Sequence, residues 1–267
     1  MLHLKDKPTV SELANYIRES MRQVLANPTK LTTGEPVTPM ENLWDRLLHR
    51  EGPRLRMSFG AKCARQKWYQ HNAPDKATSP GEARVSFSMG DLWEIIGFRA
   101  LEEAVQHPRL SVPKEYAQQE LTMDVDGHLI AGHTDGCLLW DGEPFVVFDF
   151  KQTGKWSWNR WEGKRIPDEV WGYRHQAANY MAALRNKGHD IQGFLWLVHL
   201  KDVNGFETGW ATWDELKPYH KDSMDTFARA IQPHPPARCG GFPDAVPCAG
   251  KTRKYCPFFD HCSSDRG

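Results

Sequence analysis

GHTDGCLLWDGEPFVVFDFK, residues 132–151, alternates and turns like two strands of a hairpin. Asp141-Gly142 is the turn signal between them. Strand side chains alternate, so Asp149 and Lys151 share a face while Phe150 points into the opposite layer. The short hairpin sets Asp135, on the preceding strand, beside that pair. Two carboxylates on adjacent strands form a hard-oxygen site suited to Mg²⁺ or Mn²⁺. Such an ion orients a water, lowers its pKa and offsets charge developing on a phosphate. Lys151 can position or help deprotonate that water, or stabilise the pentavalent phosphorane. A surface ion pair between Asp149 and Lys151 is the plain alternative. The apolar run FVVF, residues 145–148, weighs against it, because charges buried beside such a run cost free energy unless they pair well or serve a site.

Working toward the N-terminus, Asp126-Gly127 marks a second hairpin, between strands expected at 116–125 and 128–140. A long helix is expected over 86–106, with Leu92, Trp93, Ile96, Leu101 and Val105 along it. It carries Glu94, a candidate third metal ligand, acting directly or through water; a solvated helix charge is the alternative. Residues 9–27 read as an amphipathic helix with Leu13, Tyr16, Ile17, Met21 and Leu25 on one side and Ser11 as its cap. Residues 28–38 and 72–82 read as loops, 41–49 as a short helix, and 61–71 as a helix beginning near Cys63. Toward the C-terminus follow a Trp-rich stretch, a helix over 168–187 stopped by Gly188, strands at 191–199 and 206–212, and a helix over 213–230. Gln176 and Tyr180 lie four apart on one helix face and could hold a phosphate or base; a surface amide and a core tyrosine are the alternatives. This order predicts an α/β sandwich around one mixed sheet, helices on both faces.

In these residues the chain resembles the RecB-type branch of the PD-(D/E)XK nucleases. There a Gly-x-x-x-(His/Glu) helix, a G-x-x-D strand, a D-(F/Y)-K strand and a Q-x-x-x-Y helix follow one another. Here they are GDLWE at 90–94, GHTD at 132–135, DFK at 149–151 and QAANY at 176–180. The helical position that is often His in relatives is Glu94. The resemblance implies a restriction-endonuclease-like α/β core with a central mixed β-sheet flanked by helices. It implies Glu94, Asp135 and Asp149 as ligands of Mg²⁺ or Mn²⁺, with Lys151, Gln176 and Tyr180 completing the catalytic set.

Six cysteines add a second theme. The first residues lack a secretory signal, and no apolar run approaches the roughly 20 residues of a membrane helix. A cytoplasmic, non-membrane protein is expected, and reducing conditions favour cysteine as metal ligand over disulfide. Some RecB-type nucleases, including CRISPR-associated RecB-like exonucleases and the AddB nuclease domain, hold a 4Fe–4S cluster through one cysteine before the core and three after it. The resemblance implies Cys63 in FGAKCARQKWY, Cys256 and Cys262 in YCPFFDHC, and Cys248 as ligands. The family places its third cysteine nearer to the next than Cys248 stands to Cys256, so Cys239 is the substitute. Soft thiolates also suit structural Zn²⁺. Cys137 reads as a small buried residue. The expected partition is 1–84, a helical region with the first cluster cysteine; 85–232, the nuclease core; and 233–267, a Cys-rich iron–sulfur tail too irregular to bury itself without the metal.

Formal net charge is zero, so any nucleic-acid contact must be local. QTGKWSWNRWEGKR, residues 152–165, interleaves Lys155, Arg160, Lys164 and Arg165 with Trp156, Trp158 and Trp161. It suits a strand-binding channel, against the alternative of tryptophans packed on the domain. Arg65 and Lys67 are further candidates to touch a DNA backbone. The expected activity is that of a metal-dependent DNA exonuclease or flap/single-strand endonuclease in recombination, repair or CRISPR adaptation. DNA, single-stranded or with free ends, is the expected partner, together with helicase or recombination and adaptation proteins. The alternative is a non-catalytic DNA-binding subunit that keeps the fold. GxSxG, HExxH and Walker A patterns are missing, so a helicase motor would lie in another chain.

Overall fold

The structure, a computed structural model, describes residues 4, 6–26, 55–60, 63–77, 81–167, 172–237, 256, 258, 261 and 262. A five-stranded sheet runs through the middle in the order β1-β4-β5-β6-β7. Its strands are β1 (Leu110–Ser111), β4 (Gly136–Trp140), β5 (Glu143–Thr153), β6 (Gly193–Leu200) and β7 (Gly205–Thr212). β5 and β6 are parallel and the other pairs antiparallel. A separate antiparallel pair is formed by β2 (Glu120–Val125) and β3 (His128–His133). The helices are α1 (Val10–Leu25), α2 (Ala64–Asn72), α3 (Gly81–Ala104), the single turn α4 (Lys155–Trp158), α5 (Tyr173–Asn186) and α6 (Trp213–Ala230).

Strand alternation sorts the core into two layers. Val146, Phe148, Phe150, Leu195 and Leu197 face α1 and α3, where Leu13, Ile17, Phe98 and Leu101 meet them. Val147, Phe194, Trp196 and Val198 face the opposite layer, with Ala177, Met181 and Leu184 of α5 and Leu216 and Phe227 of α6. The mixed sheet flanked by helices on both faces is therefore as expected. Both hairpins turn where Asp-Gly stands, with φ of 50° and 81° at Asp126-Gly127 and 53° and 84° at Asp141-Gly142. These left-handed pairs match the twist of the strands they join.

Several expectations are corrected. The cap of α1 is Thr9, not Ser11: Thr9 and Glu12 form a reciprocal capping box that satisfies two backbone N–H groups at once. The strand expected over 128–140 is two strands, broken at Thr134–Asp135, so that β3 leaves the main sheet for β2. The strand expected from 116 starts at Glu120, after a 3₁₀ turn at Lys114–Tyr116 and a left-handed Gln118 with φ of 54°. β1 is an addition, too short to show a period. α3 begins at Gly81, inside the stretch expected as loop. The segments expected as a loop at 28–38 and a helix at 41–49 lie outside the described residues.

The tryptophans and cations also divide differently from the channel reading. Trp158 and Trp161 are each 5% exposed, in the core beside Trp196; Trp156 is 62% exposed. A Cβ at Gly209 would stand 2.5 Å from the Trp161 ring, which shows how closely that indole is packed. Arg165 pairs with Glu215 and lies over the Trp210 ring. Arg65 and Lys67 are buried at 3% and 0%, so neither presents its charge to a DNA backbone. Lys67 Nζ instead donates to the Gly60 carbonyl at 2.9 Å and lies over the Phe227 ring.

Candidate active site

The break between β3 and β4 delivers the first acid. The Thr134 hydroxyl, fully buried, donates to the Gly136 and Phe148 carbonyls at 3.3 and 3.4 Å and anchors the break to β5. Gly136 pairs with Phe148, so Asp135 falls next to Asp149 at the following position. Its Oδ2 accepts the Phe150 N–H at 2.6 Å. Asp149 and Lys151 share the face of Val147, as the strand period requires, while Phe150 turns to the other layer. The Lys151 ammonium bonds Asp149 Oδ2 and lies 4.9 Å from the Tyr173 ring centroid.

Glu94 arrives from the opposite layer. Gly97, three residues on, has no room for a side chain: a Cβ there would stand 2.5 Å from the Phe150 ring. That close approach of α3 to β5 brings Glu94 to the acids, where Gln118 Nε2 donates to Glu94 Oε1 and, at 3.2 Å, to Asp135 Oδ1. Among the described residues none comes within 4 Å of where a Gly90 Cβ would stand.

α5 supplies the remaining candidates. Gln176 Nε2 donates to the Tyr180 hydroxyl at 3.0 Å. Gly132 makes room for the tyrosine, since a Cβ there would lie 2.8 Å from its Cε1. The helix is fixed by Asn179, which donates to the Met57 carbonyl at 3.1 Å and meets His220 of α6 at 3.0 Å. The structure thus brings Glu94, Asp135, Asp149, Lys151, Gln176 and Tyr180 to one place.

Gln118 and Tyr173 belong to the same group and were not singled out from sequence. Tyr173 had a signal: it precedes Gln176 by three and Tyr180 by seven, one face of a helix. Gln118 had none, because its position depends on a turn without periodicity.

Charge governs the site. Glu94 and Asp149 are 8% and 3% exposed, while Asp135 and Lys151 are partly exposed and open the group to solvent. Burial, then the charges of Asp149 and Glu94, push the Asp135 carboxyl well above the usual carboxylate range. Burial likewise raises Asp149, and Lys151 opposes it. Asp149 holds the Lys151 ammonium protonated, against the opposing effect of burial. Burial and the nearby Asp149 keep the Tyr180 phenol protonated. Glu94, Asp135 and Asp149 offer hard oxygens of the kind a divalent cation takes; with Gln118 between the first two and Lys151 on the third, no three His, Cys, Asp or Glu side chains among the described residues are set as one ion's ligands.

The cysteines lie elsewhere. Cys63 caps α2, its Sγ accepting the Gln66 N–H at 3.2 Å. Tyr69, on the same helix, stacks on Phe258 and meets His261 edge-on, with centroids 5.8 and 4.9 Å apart. The segment bearing Cys256 and Cys262 therefore packs on the helix that Cys63 begins. All three cysteines are half-buried. These three are not set as one ion's ligands either; Cys239 and Cys248 lie outside the described residues. Cys137 is buried in β4, as expected. No helix among the described residues is long and apolar enough to cross a membrane.

No family model and no curated protein matches the chain. Among solved structures it is similar to SSO0001, at 12% identity and TM-score 0.46, over 95% of this chain and 96% of that one. It is also similar to a protein from Eubacterium rectale described as a "Putative exonuclease", at 16% identity and TM-score 0.38, over 93% of each chain. Likenesses this distant carry neither a fold assignment nor an activity to this chain, whose function must be argued from its own site.

Proposed function

We propose that this chain is a divalent-metal-dependent nuclease that hydrolyses phosphodiester bonds of DNA at free ends or in single strands. The observation that carries the reading is the convergence of Glu94, Asp135 and Asp149 with Lys151 at a partly exposed break between strands. Mg²⁺ or Mn²⁺ held by the three carboxylates would lower the pKa of a bound water and offset charge on the phosphate. Lys151, kept protonated by Asp149, serves as a cation and hydrogen-bond donor to the phosphorane oxygens rather than as a base. The Tyr180 hydroxyl, held by Gln176, is a second donor, suited to a phosphate oxygen beside the acids.

The RecB-type PD-(D/E)XK resemblance supports the same assignment through the four motifs. It also underlies the proposal of a structural metal group, 4Fe–4S or Zn²⁺, on Cys63, Cys256, Cys262 and Cys248 or Cys239. The packing of Tyr69 on Phe258 and His261 supports this, since it brings the segment bearing Cys256 and Cys262 onto the helix that Cys63 begins. Recombination, repair or CRISPR adaptation is the proposed setting, with helicase or adaptation proteins as partners.

Labelled single-stranded DNA incubated with Mn²⁺ and purified protein tests the reading. Cleavage should fall by about 10²–10³-fold in Lys151→Ala, the loss typical of one electrostatic stabiliser, and to background in Asp149→Ala. Equal cleavage by all three proteins would overturn it. Binding without cleavage by the wild type would favour the non-catalytic subunit.

A further inference from the structure

Gln118 stands at the junction of the three elements that carry acids, and it holds an unusual backbone conformation to do so. Its φ of 54° lies in the left-handed region, which a non-glycine residue adopts at a cost and keeps only when its surroundings fix it. Those surroundings are the strand break itself. The Gln118 N–H donates to the Asp135 carbonyl at 3.2 Å, and the Thr134 N–H donates to the Gln119 carbonyl at 3.2 Å. Residues 118–119 thus bracket Thr134–Asp135 on both sides. From that fixed backbone the side-chain amide reaches Glu94 Oε1 of α3 and Asp135 Oδ1.

We propose that Gln118 is a positioning residue that aims the carboxylates of Glu94 and Asp135 at a divalent cation; this rests on the metal-dependent reading above. The chemistry of the amide fits the task. A primary amide nitrogen has two N–H donors, and here each of two acids accepts from it. For Asp135 the second oxygen is held by the Phe150 N–H. Each carboxylate oxygen has two lone-pair sites, so these bonds orient the group without exhausting it. The amide is also neutral. An Arg or Lys in its place would bond both carboxylates and cancel the charge that attracts the ion, whereas Gln orients them and leaves the charge intact. Partners that orient metal ligands typically contribute 10–100-fold to metal affinity.

The test measures Mn²⁺ binding to the full chain by calorimetry or electron paramagnetic resonance, together with the thermal midpoint of metal-free protein. Gln118→Gly keeps the left-handed backbone accessible while removing the amide. Gln118→Asn, which also tolerates this backbone, is too short to span both acids and serves if the glycine variant fails to fold. Asp135→Asn is the reference. Affinity about 10–100-fold weaker in the Gln118 variants, with the thermal midpoint unchanged or raised, supports the role. Unchanged Mn²⁺ affinity in them alongside loss in Asp135→Asn overturns the role and leaves the nuclease reading standing. Unchanged affinity in all variants overturns both.

Discussion

Lys67 illustrates how far burial can move a side chain from its ordinary chemistry. Its side chain lies on α2 beneath α6, and burial pushes its ammonium down to about 7, with Asp222 and Cys63 opposing the shift. The unfolded chain holds the lysine proton up to about pH 10.5, while the folded protein releases it above about 7. Between those values the unfolded state binds more protons, so stability rises as pH rises from 7 toward 10 and is constant in this respect below 7. Lys67→Met should remove that slope. The variant also leaves the Gly60 carbonyl without its lysine donor, at about 1–3 kcal/mol, so the slope and not the midpoint at one pH is the readout. From pH 7 to 10 the thermal midpoint of the wild type should rise relative to that of the variant; a constant difference would show that Lys67 keeps its proton in the fold. A buried lysine of this kind was not legible from sequence, because QKWY carries no period that distinguishes a core face. The shared face of Asp149 and Lys151 was legible, because a strand allows only two directions.

At the scale of elements, periodic segments were read well and breaks were not. Helix α6 and strand β7 fall within a residue of expectation because capping and alternation mark them. The interruption of β3 and β4 was missed although His133, Thr134 and Asp135 are polar, because strand-forming residues resume at once and tertiary bonds from Thr134 define the break. Burial likewise divides the Trp-rich stretch. α4 turns Trp158 inward and leaves Trp156 exposed, with Arg160 over its ring at 4.8 Å and Lys155 exposed beside it. This turn begins four residues past Lys151, so under the proposed nuclease reading Trp156 would be a place for a base of the bound strand to stack. Trp156→Ala should weaken single-stranded DNA binding by about 5- to 150-fold, the equivalent of ~1–3 kcal/mol for one stacked base, with the thermal midpoint unmoved. Trp158→Ala should instead cost about 3–5 kcal/mol of stability, as core aromatic truncations do. Fluorescence anisotropy with a labelled oligonucleotide and a melting curve separate the two. Equal affinity in wild type and Trp156→Ala would remove α4 from the DNA path.

For the molecule as a whole, the question is what joins the start of the chain to its end. α2 packs on α6, and Tyr69 receives Phe258 and His261, so an aromatic contact already joins the two sides of the nuclease-like core in sequence. Phe258 is 1% exposed. A metal group shared by Cys63, Cys256 and Cys262 would close a loop of almost 200 residues, and its binding energy would add to folding energy. Cys137 is the internal control: burial pushes its thiol up to about 12, so it stays protonated in the core and is unsuited to a metal. Anaerobically purified wild type should contain bound metal, with a broad visible absorption if the group is iron–sulfur and none if it is zinc. Cys63→Ser and Cys262→Ser should each lose that metal and melt at lower temperature, whereas Cys137→Ser should retain the full metal content. Metal content that is the same in wild type, Cys63→Ser and Cys262→Ser would place the ion elsewhere and leave the aromatic packing of Tyr69 as the link between the two ends.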